Sequence, residues 1–338
     1  MNGSPVLGVR STVVAAVTAR LCYALLRGKP PGGSTTWTRT NHRGEPITLL
    51  EGPAATIGAV AGALAGRSGI APAVAGIGAA AFGGYDDVKG NGDQRGFRGH
   101  MGALSHGELT TGAVKLVGIG VTGVVAAFIA ARADESAADP GRRRALAAAD
   151  IVINAGLIAG GANVLNLFDL RPGRAIKVAG VAGALLVAGG ADGPATAAPL
   201  AAAGALLAED LAERSMLGDA GANGLGAMLG TAAAMSLSRR TRIAALAAIA
   251  ALTAASEVVS FTRVIERTAP LRWADMLGRR PVGTAGAGGS VGSGGIAGGD
   301  GTAGAGGTAG GGGTSGDGTA DVTSARLSGE SVRPAESR

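Results

Sequence analysis

Apolar stretches alternate with short polar blocks along most of this chain. A helix needs about 20 residues, at ~1.5 Å per residue, to cross the hydrocarbon core of a bilayer. Several apolar stretches are shorter, but helices rich in alanine and glycine that are buried among neighbours can include a few flanking polar residues. The pattern therefore predicts an all-α integral membrane protein with about nine transmembrane helices. The predicted segments are 5–27, 52–66, 69–85, 113–133, 146–166, 174–190, 195–212, 218–237 and 241–261.

The composition supports this class of protein. Hydrophobic residues make up 46% of the chain and charged residues only 16%, against roughly 25% charged residues in soluble domains. The net charge of +6 comes from lysines and arginines clustered at the ends of apolar stretches. Because that placement orients helices in a membrane, we expect a bilayer and no nucleic acid as partner. The single cysteine, Cys22, excludes an internal disulfide framework.

The polar connections fall into two alternating sets that differ in charge. Cytoplasmic loops carry an excess of lysine and arginine. We therefore predict that the more basic set faces the cytoplasm and that the protein lies in the plasma membrane. This set comprises residues 28–51, 86–112, 167–173, 213–217 and 262–281.

The chain changes character near residue 282. From there to its end, glycine, alanine, serine and threonine dominate, and glycine does not recur strictly every third residue. This composition predicts a flexible, disordered tail and excludes a collagen-like helix. The chain is accordingly divided into a membrane domain, 1–281, and a tail, 282–338.

A small group of polar residues interrupts the apolar pattern on the predicted cytoplasmic side. Each carboxylate in this group, taken alone, could cap a helix or mark an interface. Several carboxylates from distant parts of the sequence, all at helix ends on one membrane face, favour a single shared site instead. The group consists of Asp86 and Asp87 after the third segment, Lys115 at the start of the fourth, Asn163, Asn166 and Asp169 at the end of the fifth, and Gly218 with Asp219 at the start of the eighth.

These residue types indicate the chemistry of the site. Carboxylates grouped without histidine or cysteine favour a hard cation such as Mg²⁺, which proteins usually hold with one or two carboxylates plus phosphate oxygens. A metal would also relieve the repulsion between Asp86 and Asp87. Basic residues nearby, including Lys89 and Lys115, are natural phosphate partners. Magnesium, phosphate and a membrane surface together predict phosphoryl transfer that involves a lipid.

Three motifs, in this order along the chain, resemble those of the polyprenyl-phosphate sugar-1-phosphate transferases, the family of the phospho-MurNAc-pentapeptide translocase. They are GYDDVKG at 84–90, NVLNLFD at 163–169 and MLGDAGANGLG at 216–226. The segment ELTTGAVKL at 108–116 is similar to the family segment that carries a lysine into the fourth helix. The likeness extends from about residue 5 to about residue 275.

The resemblance implies a Mg²⁺-dependent enzyme with a cytoplasm-facing active site. Such an enzyme transfers a sugar-1-phosphate from a nucleotide-sugar, expected to be UDP-linked, to polyprenyl phosphate and releases a nucleoside monophosphate. The product begins the assembly of a cell-envelope glycan such as peptidoglycan. The likeness is also compatible with a homodimer.

The resemblance further implies roles for the polar residues. Asp219 would be the principal Mg²⁺ ligand, assisted by Asp87, and Asp86 with Asp87 would orient or deprotonate the lipid phosphate. Lys115 would neutralise phosphate charge. Asp169 would be a catalytic residue and would also line the nucleotide-sugar pocket. The other residues that would bind the substrates are Asn163, Asn166, Gly218, His42 and Arg43. For His42 and Arg43, in the first cytoplasmic loop, a solvated basic loop is the alternative.

The chain departs from the family pattern mainly on the donor side of the site. Pro172 stands where the family has a second loop aspartate, and Met216 where an aromatic residue stacks on the base. Ala222 replaces a serine, and APLRWADMLGRRP at 269–281 replaces a histidine-rich loop. Recognition of the base or sugar is therefore expected to have shifted. Candidate replacements, unless they are ordinary interfacial residues, are Arg171, Arg174, Arg272 and Trp273.

Two other functions remain open from the sequence. A degenerate or altered-donor family member would bind a lipid phosphate but lack the usual activity. A small polytopic transporter would use the carboxylates as a cation or proton relay. Transport predicts carboxylates near the bilayer midplane on discontinuous helices, whereas here they lie at segment ends on one face.

Overall fold

The computed structural model of this protein describes residues 5–90, 110–132 and 140–281, which are mostly helical. Two short strands, β1 (Thr38–Thr40) and β2 (Pro46–Thr48), form an antiparallel hairpin. The predicted tail, 282–338, lies outside the described residues. The helices are α1 (Pro5–Gly28), α2 (Ser34–Trp37), α3 (Glu51–Ala65), α4 (Ala71–Lys89), α5 (Thr111–Arg132), α6 (Pro140–Phe168), α7 (Arg174–Ala188), α8 (Pro194–Leu211), α9 (Gly218–Ser236), α10 (Arg239–Ser256), α11 (Phe261–Arg267) and α12 (Ala269–Met276).

Each predicted apolar segment is helical in the structure, and most ends agree within two or three residues. The largest differences are at α6, which begins at Pro140 instead of 146, and at α10, which ends at Ser256 instead of 261. After α10 the chain bends by 93° into α11. The hydroxyl of Ser260 accepts a hydrogen bond from the N–H of Arg263 at 3.5 Å, so a serine cap starts the new helix.

Among the residues that the structure describes, three helices are long and apolar enough to cross a membrane: Val6–Gly28 in α1, Thr111–Arg132 in α5 and Ala148–Phe168 in α6. The bent pair α10 and α11 makes a fourth if it counts as one span. Helices α3 and α7 have 15 residues each, so they are about 22 Å long, shorter than the ~30 Å hydrocarbon core. The apolar helices agree with an all-α membrane protein, and the count of nine spans stays a prediction.

Large apolar side chains form an exposed stripe on α5. Val117, Val121 and Val124 are 60%, 57% and 51% exposed. Their spacing of four and three residues puts them on one face of the helix. A contiguous row of exposed branched residues suits contact with hydrocarbon better than contact with water.

Helix α9 lies at the centre of the fold and is buried along nearly its whole length. Glycines allow neighbouring backbones to approach it closely, as small residues do in packed membrane helices. A Cβ added at Gly226 would lie 2.4 Å from the carbonyl oxygen of Gly161 in α6. A Cβ added at Gly221 would lie 2.6 Å from the Cα of Gly52 in α3. These contacts fix the position of α9 between α3 and α6.

The β1–β2 hairpin holds the segment that leads into α9. Thr48, at the end of β2, forms a parallel bridge with Ser215. The N–H of Met216 donates to the carbonyl of Thr48 at 3.0 Å, and the N–H of Thr48 donates to the carbonyl of Arg214 at 3.4 Å. The first polar connection is thereby joined to the start of the central helix.

We predict that Gly226→Ala destabilises the protein, because its added methyl group would force α6 and α9 apart. The expected cost is ~1–3 kcal/mol, measured as a lower midpoint of thermal unfolding in detergent. Gly204→Ala in α8 is the matched control, since nothing lies within 4 Å of its added methyl group and alanine favours a helix. Equal unfolding midpoints for the two variants would contradict the packing.

Candidate functional site

Asp86, Lys115 and Asp219 come from three helices and meet in the structure. Asp86 lies near the C-terminal end of α4, Lys115 near the start of α5, and Asp219 in the first turn of α9. The Nζ of Lys115 is 2.7 Å from Oδ2 of Asp86 and 2.8 Å from Oδ2 of Asp219. One ammonium group therefore bridges two carboxylates from different helices. With Asp87, these residues are called the carboxylate–lysine cluster below.

Asp87 contacts the backbone at the start of α9. Its Oδ1 accepts a hydrogen bond from the N–H of Asp219 at 3.0 Å, and its Oδ2 accepts one from the N–H of Ala220 at 2.9 Å. N–H groups in the first turn of a helix lack partners within the helix, and a carboxylate there also interacts favourably with the helix dipole. The backbone carbonyl of Asp87 accepts a hydrogen bond from the guanidinium of Arg39 in β1. Asp87 thereby joins α4 to both α9 and the hairpin.

Gly218 is required by the backbone at this junction. Its φ of +61° lies in the left-handed region that glycine adopts without a steric penalty. A Cβ at this position would also lie 3.1 Å from Oδ2 of Asp87. The glycine allows α9 to begin directly against the carboxylate, and its expected role in binding stays a prediction.

Burial and neighbouring charges shift the pKa values of the two α4 carboxyl groups, Asp86 and Asp87, in opposite directions. Burial, reinforced by the negative charge of Asp219, raises the pKa of Asp87 to about 7, against the lowering effect of the two N–H donors. Burial also acts to raise the pKa of Asp86, but the hydrogen bond and positive charge of Lys115 outweigh it, so that pKa is lowered. Asp86 is consequently the ionised partner of Lys115 at neutral pH.

Asp169 follows α6 and lies beside the cluster. Its carboxylate is buried near the backbone N–H of Gly218. Within the described part of the chain, its Oδ2 has no hydrogen-bond partner. Burial and the charges of Asp210, Asp87 and Asp219 raise the pKa of Asp169 well above its ordinary value. The structure thus brings together residues of all three sequence motifs and Lys115.

The two asparagines before Asp169 have different surroundings. The Nδ2 of Asn163 donates to the Oγ1 of Thr253 in α10 at 3.0 Å. The carbonyl of Asn166 accepts a hydrogen bond from the N–H of Asp169 at 3.1 Å, and both asparagine side chains are half-buried. Asn163 therefore contacts α10, and the donor-binding roles of both residues stay predictions.

His42 and Arg43 lie against Glu213. The Nε of Arg43 donates to Oε1 of Glu213 at 2.9 Å, and its two Nη groups donate to the carbonyls of Arg280 and Pro281. The Nδ1 of His42 is 3.8 Å from Oε2 of Glu213. These contacts tie the first connection to the segment after α12, and none of them joins His42 or Arg43 to the carboxylate–lysine cluster.

The loop between α6 and α7, where Pro172 departs from the family pattern, is held by Asp210 of α8. Oδ1 of Asp210 accepts a hydrogen bond from the N–H of Gly173 at 2.9 Å. Gly173 has a φ of +69°, which explains a glycine at this turn. The loop that would contact the donor is therefore supported by a carboxylate from a different helix.

Arg174, one of the candidate donor contacts, is already paired in the structure. Its guanidinium is buried and contacts Asp275 through two bonds, Nε to Oδ1 at 2.7 Å and Nη2 to Oδ2 at 3.1 Å. The guanidinium of Arg171 makes only a long contact, 3.9 Å, with Oε1 of Glu266. The side chain of Trp273 is 68% exposed. Arg171 and Trp273 thus remain accessible, whereas Arg174 supports the fold.

Asp275 in α12 collects further positive groups. The Nη1 of Arg279 donates to its Oδ2 at 2.7 Å, and the Nζ of Lys177 donates to its backbone carbonyl at 2.6 Å. Burial acts to raise the pKa of Asp275, but Arg174 and Arg279 lower it overall. These contacts hold the segment 269–281 against the start of α7.

Glu51 and Asp210 are two buried carboxylates that were not among the residues predicted from the sequence. Glu51, the first residue of α3, accepts a hydrogen bond from the hydroxyl of Ser215 at 2.5 Å. Glu51 Oε1 and Asp210 Oδ2 are buried without a partner among the described residues. Both residues lie near the end of an apolar segment, which is the signal that singled out Asp86 and Asp87. The three motifs do not include Glu51 and Asp210, so a prediction based on those motifs leaves them out.

The arrangement of possible metal ligands can be compared with the magnesium site expected from the sequence. Across residues 5–90, 110–132 and 140–281, no group of three or more His, Cys, Asp or Glu side chains is arranged to hold a metal ion. The cluster itself explains this result. Lys115 stands between Asp86 and Asp219, and Asp87 is turned toward the backbone of α9.

Comparisons with known proteins do not assign this site. No protein-family model matches the chain, and no curated protein matches it.

We predict that Asp275→Asn loosens the segment 269–281, because Arg174 and Arg279 lose their shared carboxylate. Removing one partner of a buried ion pair costs ~3–5 kcal/mol. Hydrogen–deuterium exchange of this segment in detergent should therefore be faster in the variant. Glu266→Gln, which removes only a 3.9 Å surface contact, is the control. Exchange at the natural rate in Asp275→Asn would contradict the assignment.

The pH dependence of the same segment follows from the lowered pKa of Asp275. A depressed folded-state pKa contributes stability that is present above the unfolded value of ~3.9 and is lost as the pH falls through the folded value. Protection of residues 269–281, corrected for intrinsic exchange, should therefore be equal at pH 7 and pH 5. Loss of protection between these pH values would show that Asp275 is not the anchoring charge.

Proposed function

We propose that this protein is a membrane-embedded phosphotransferase that moves a sugar-1-phosphate from a nucleotide-sugar to polyprenyl phosphate and releases a nucleoside monophosphate. The observation that carries the proposal is the convergence of Asp86 and Asp219, from two helices, on one positive group. Residues of all three family-like motifs lie around it. The proposal includes the cytoplasmic face of the plasma membrane as the place of reaction and cell-envelope glycan synthesis as its purpose.

Magnesium fits these residues on the condition that Lys115 moves. The donors are carboxylate oxygens, which Mg²⁺ prefers, and two of them already approach a common point. Asp86 and Asp219 would hold the ion through their carboxylate oxygens. A bound Mg²⁺ would offset the negative charge that develops on the transferred phosphoryl group.

Lys115 is the residue whose partners would change between the free and the substrate-bound protein. Without substrate it pairs with both Asp86 and Asp219. Its ammonium is a compact charge on a flexible stem. It can therefore transfer its hydrogen bonds to phosphate oxygens of the substrates while the two carboxylates hold the cation.

Asp87 and Asp169 would support the reaction in different ways. Asp87 fixes the first turn of α9 through two N–H groups and so orients the adjacent Asp219. Asp169 keeps an oxygen without a partner in the described part of the chain. That oxygen is buried, so it would accept a hydrogen bond from a hydroxyl of the donor only after the side chains around it move apart.

An altered donor is favoured by the surroundings of the α6–α7 loop. Asp210 accepts a hydrogen bond from the N–H of Gly173, and the guanidinium of Arg174 is paired with Asp275. The donor pocket would therefore be lined by different groups from those that the family pattern implies. A panel of nucleotide-sugars, assayed with purified protein, Mg²⁺ and undecaprenyl phosphate, identifies the base and the sugar.

We predict that Asp219→Asn lowers transfer by roughly 100-fold or more, because a neutral amide holds a divalent cation poorly. The readout is labelled sugar-phosphate in the lipid product at saturating Mg²⁺. Asp192→Asn, an exposed carboxylate in the α7–α8 connection, is the control and should retain full activity. Size-exclusion elution of Asp219→Asn should match the natural protein, and Lys115 keeps Asp86 as a partner, so the variant should still fold. Retained turnover would refute the proposed function.

We also predict that Lys115→Met binds Mg²⁺ more tightly in the absence of substrates, because the two carboxylates lose a competing cation. Titration calorimetry should show a Kd lower by about tenfold, or ~1.4 kcal/mol, while transfer falls because the phosphate contact is lost. Lys177→Met, whose ammonium contacts backbone carbonyls of α12, should leave the Kd unchanged. Unchanged or weaker Mg²⁺ binding by Lys115→Met would contradict the competition.

A further inference from the structure

Two adjoining cavities open at the C-terminal end of α1. The larger, of about 550 Å³, lies between α1 and α8 and is lined by Arg20, Tyr23, Ala24, Arg27, Gly28 and Glu209. The smaller, of about 260 Å³, shares Arg27 and adds Arg214 with the hydroxyl-bearing residues Ser34 and Thr38. Together they form one basic groove, called the α1–α8 groove below.

The groove has an excess of positive charge. Glu209 accepts from Arg20 at 3.1 Å and from Arg214 at 2.6 Å, so one carboxylate serves two guanidinium groups. Within the described residues, Arg27 forms no ion pair or hydrogen bond and only stands over the ring of Tyr23, 5.6 Å from its centroid. Three arginines against one glutamate, with Arg27 unpaired, suit an anion with several acceptor oxygens. Guanidinium groups bind phosphate in this way.

The face of α1 that leads to the groove is apolar and exposed. Val9, Val13 and Val17 are 64%, 54% and 51% exposed. Steps of four, four, three and seven residues connect them to Arg20 and then to Arg27, which keeps all five on one side of the helix. Helix α1 is also among the helices long and apolar enough to cross a membrane. An acyl chain can thus lie along the valines while its headgroup reaches the arginines.

We propose that the α1–α8 groove binds the phosphate of an anionic bilayer phospholipid. The β1–β2 hairpin separates this site from the carboxylate–lysine cluster, since Thr38 lines the groove and its neighbour Arg39 reaches the carbonyl of Asp87. The inference does not depend on the proposed enzymatic activity. A bound headgroup would brace α1, α8 and the hairpin at the membrane surface.

The test uses delipidated full-length protein in neutral detergent micelles. Phosphatidylglycerol with a fluorescent acyl chain is titrated and its anisotropy recorded, with the matching phosphatidylcholine as comparator. We expect saturable binding with preference for phosphatidylglycerol. Arg27→Gln should weaken it about fivefold, the effect of one basic residue at an anionic membrane surface, and Arg27→Glu should weaken it further.

Arg240→Gln is the control, because Arg240 is an exposed arginine in another apolar helix, α10. It should bind phosphatidylglycerol as the natural protein does. Arg27 has no ion-pair partner to lose among the described residues, so its substitution tests binding without disturbing the Arg20–Glu209 contact. Unfolding midpoints of all variants, measured without lipid, should agree.

Three results would overturn the inference. Arg27→Glu binding phosphatidylglycerol as tightly as the natural protein would exclude the groove as the site. Equal binding of phosphatidylcholine, which has the same phosphate but no net charge, would show that the groove does not select an anionic lipid. Displacement of phosphatidylglycerol by millimolar inorganic phosphate would assign the groove to a soluble anion instead of a lipid.

Discussion

The close contact between α4 and α9 at Gly83 is the constraint on which the rest of the structure depends. A Cβ at Gly83 would lie only 2.3 Å from the carbonyl oxygen of Asp219, so no other residue allows this approach. The contact brings the C-terminal end of α4 against the first turn of α9, where Asp87 accepts hydrogen bonds from two backbone N–H groups. Asp86 and Asp219 are then close enough to share Lys115. Small residues in the helices thus determine where the charges of the site meet.

The carboxylate–lysine cluster has more negative than positive charge, which distinguishes it from a balanced ion pair that only stabilises the fold. A buried ion pair contributes little net stability, because desolvation offsets the attraction between its charges. Here one ammonium serves the two carboxylates of Asp86 and Asp219, so the three groups together keep a net negative charge. An excess of negative charge around a single lysine favours a second cation. Phosphate substrates would in turn supply negative charge for the displaced lysine.

Much of the helical pattern could be predicted from the sequence because apolar segments and polar blocks alternate so clearly. The meeting of Asp86, Lys115 and Asp219 was anticipated from motifs at helix ends on one face. The partners of Arg174, His42 and Arg43 could not be, because each binds a carboxylate distant in sequence. Glu51 could have been predicted from its position at the end of an apolar segment, but none of the three motifs includes it. The bend after Ser256 also follows from local capping that the hydrophobic pattern does not record.

A crystal structure of the protein with Mn²⁺ in place of Mg²⁺, with anomalous scattering measured at the manganese edge, tests whether Asp86 and Asp219 hold a divalent cation. We expect an anomalous peak about 2.2 Å from the carboxylates of Asp86 and Asp219, with the Lys115 ammonium moved away from both. An intact Lys115 bridge without an anomalous peak at saturating Mn²⁺ would contradict this expectation.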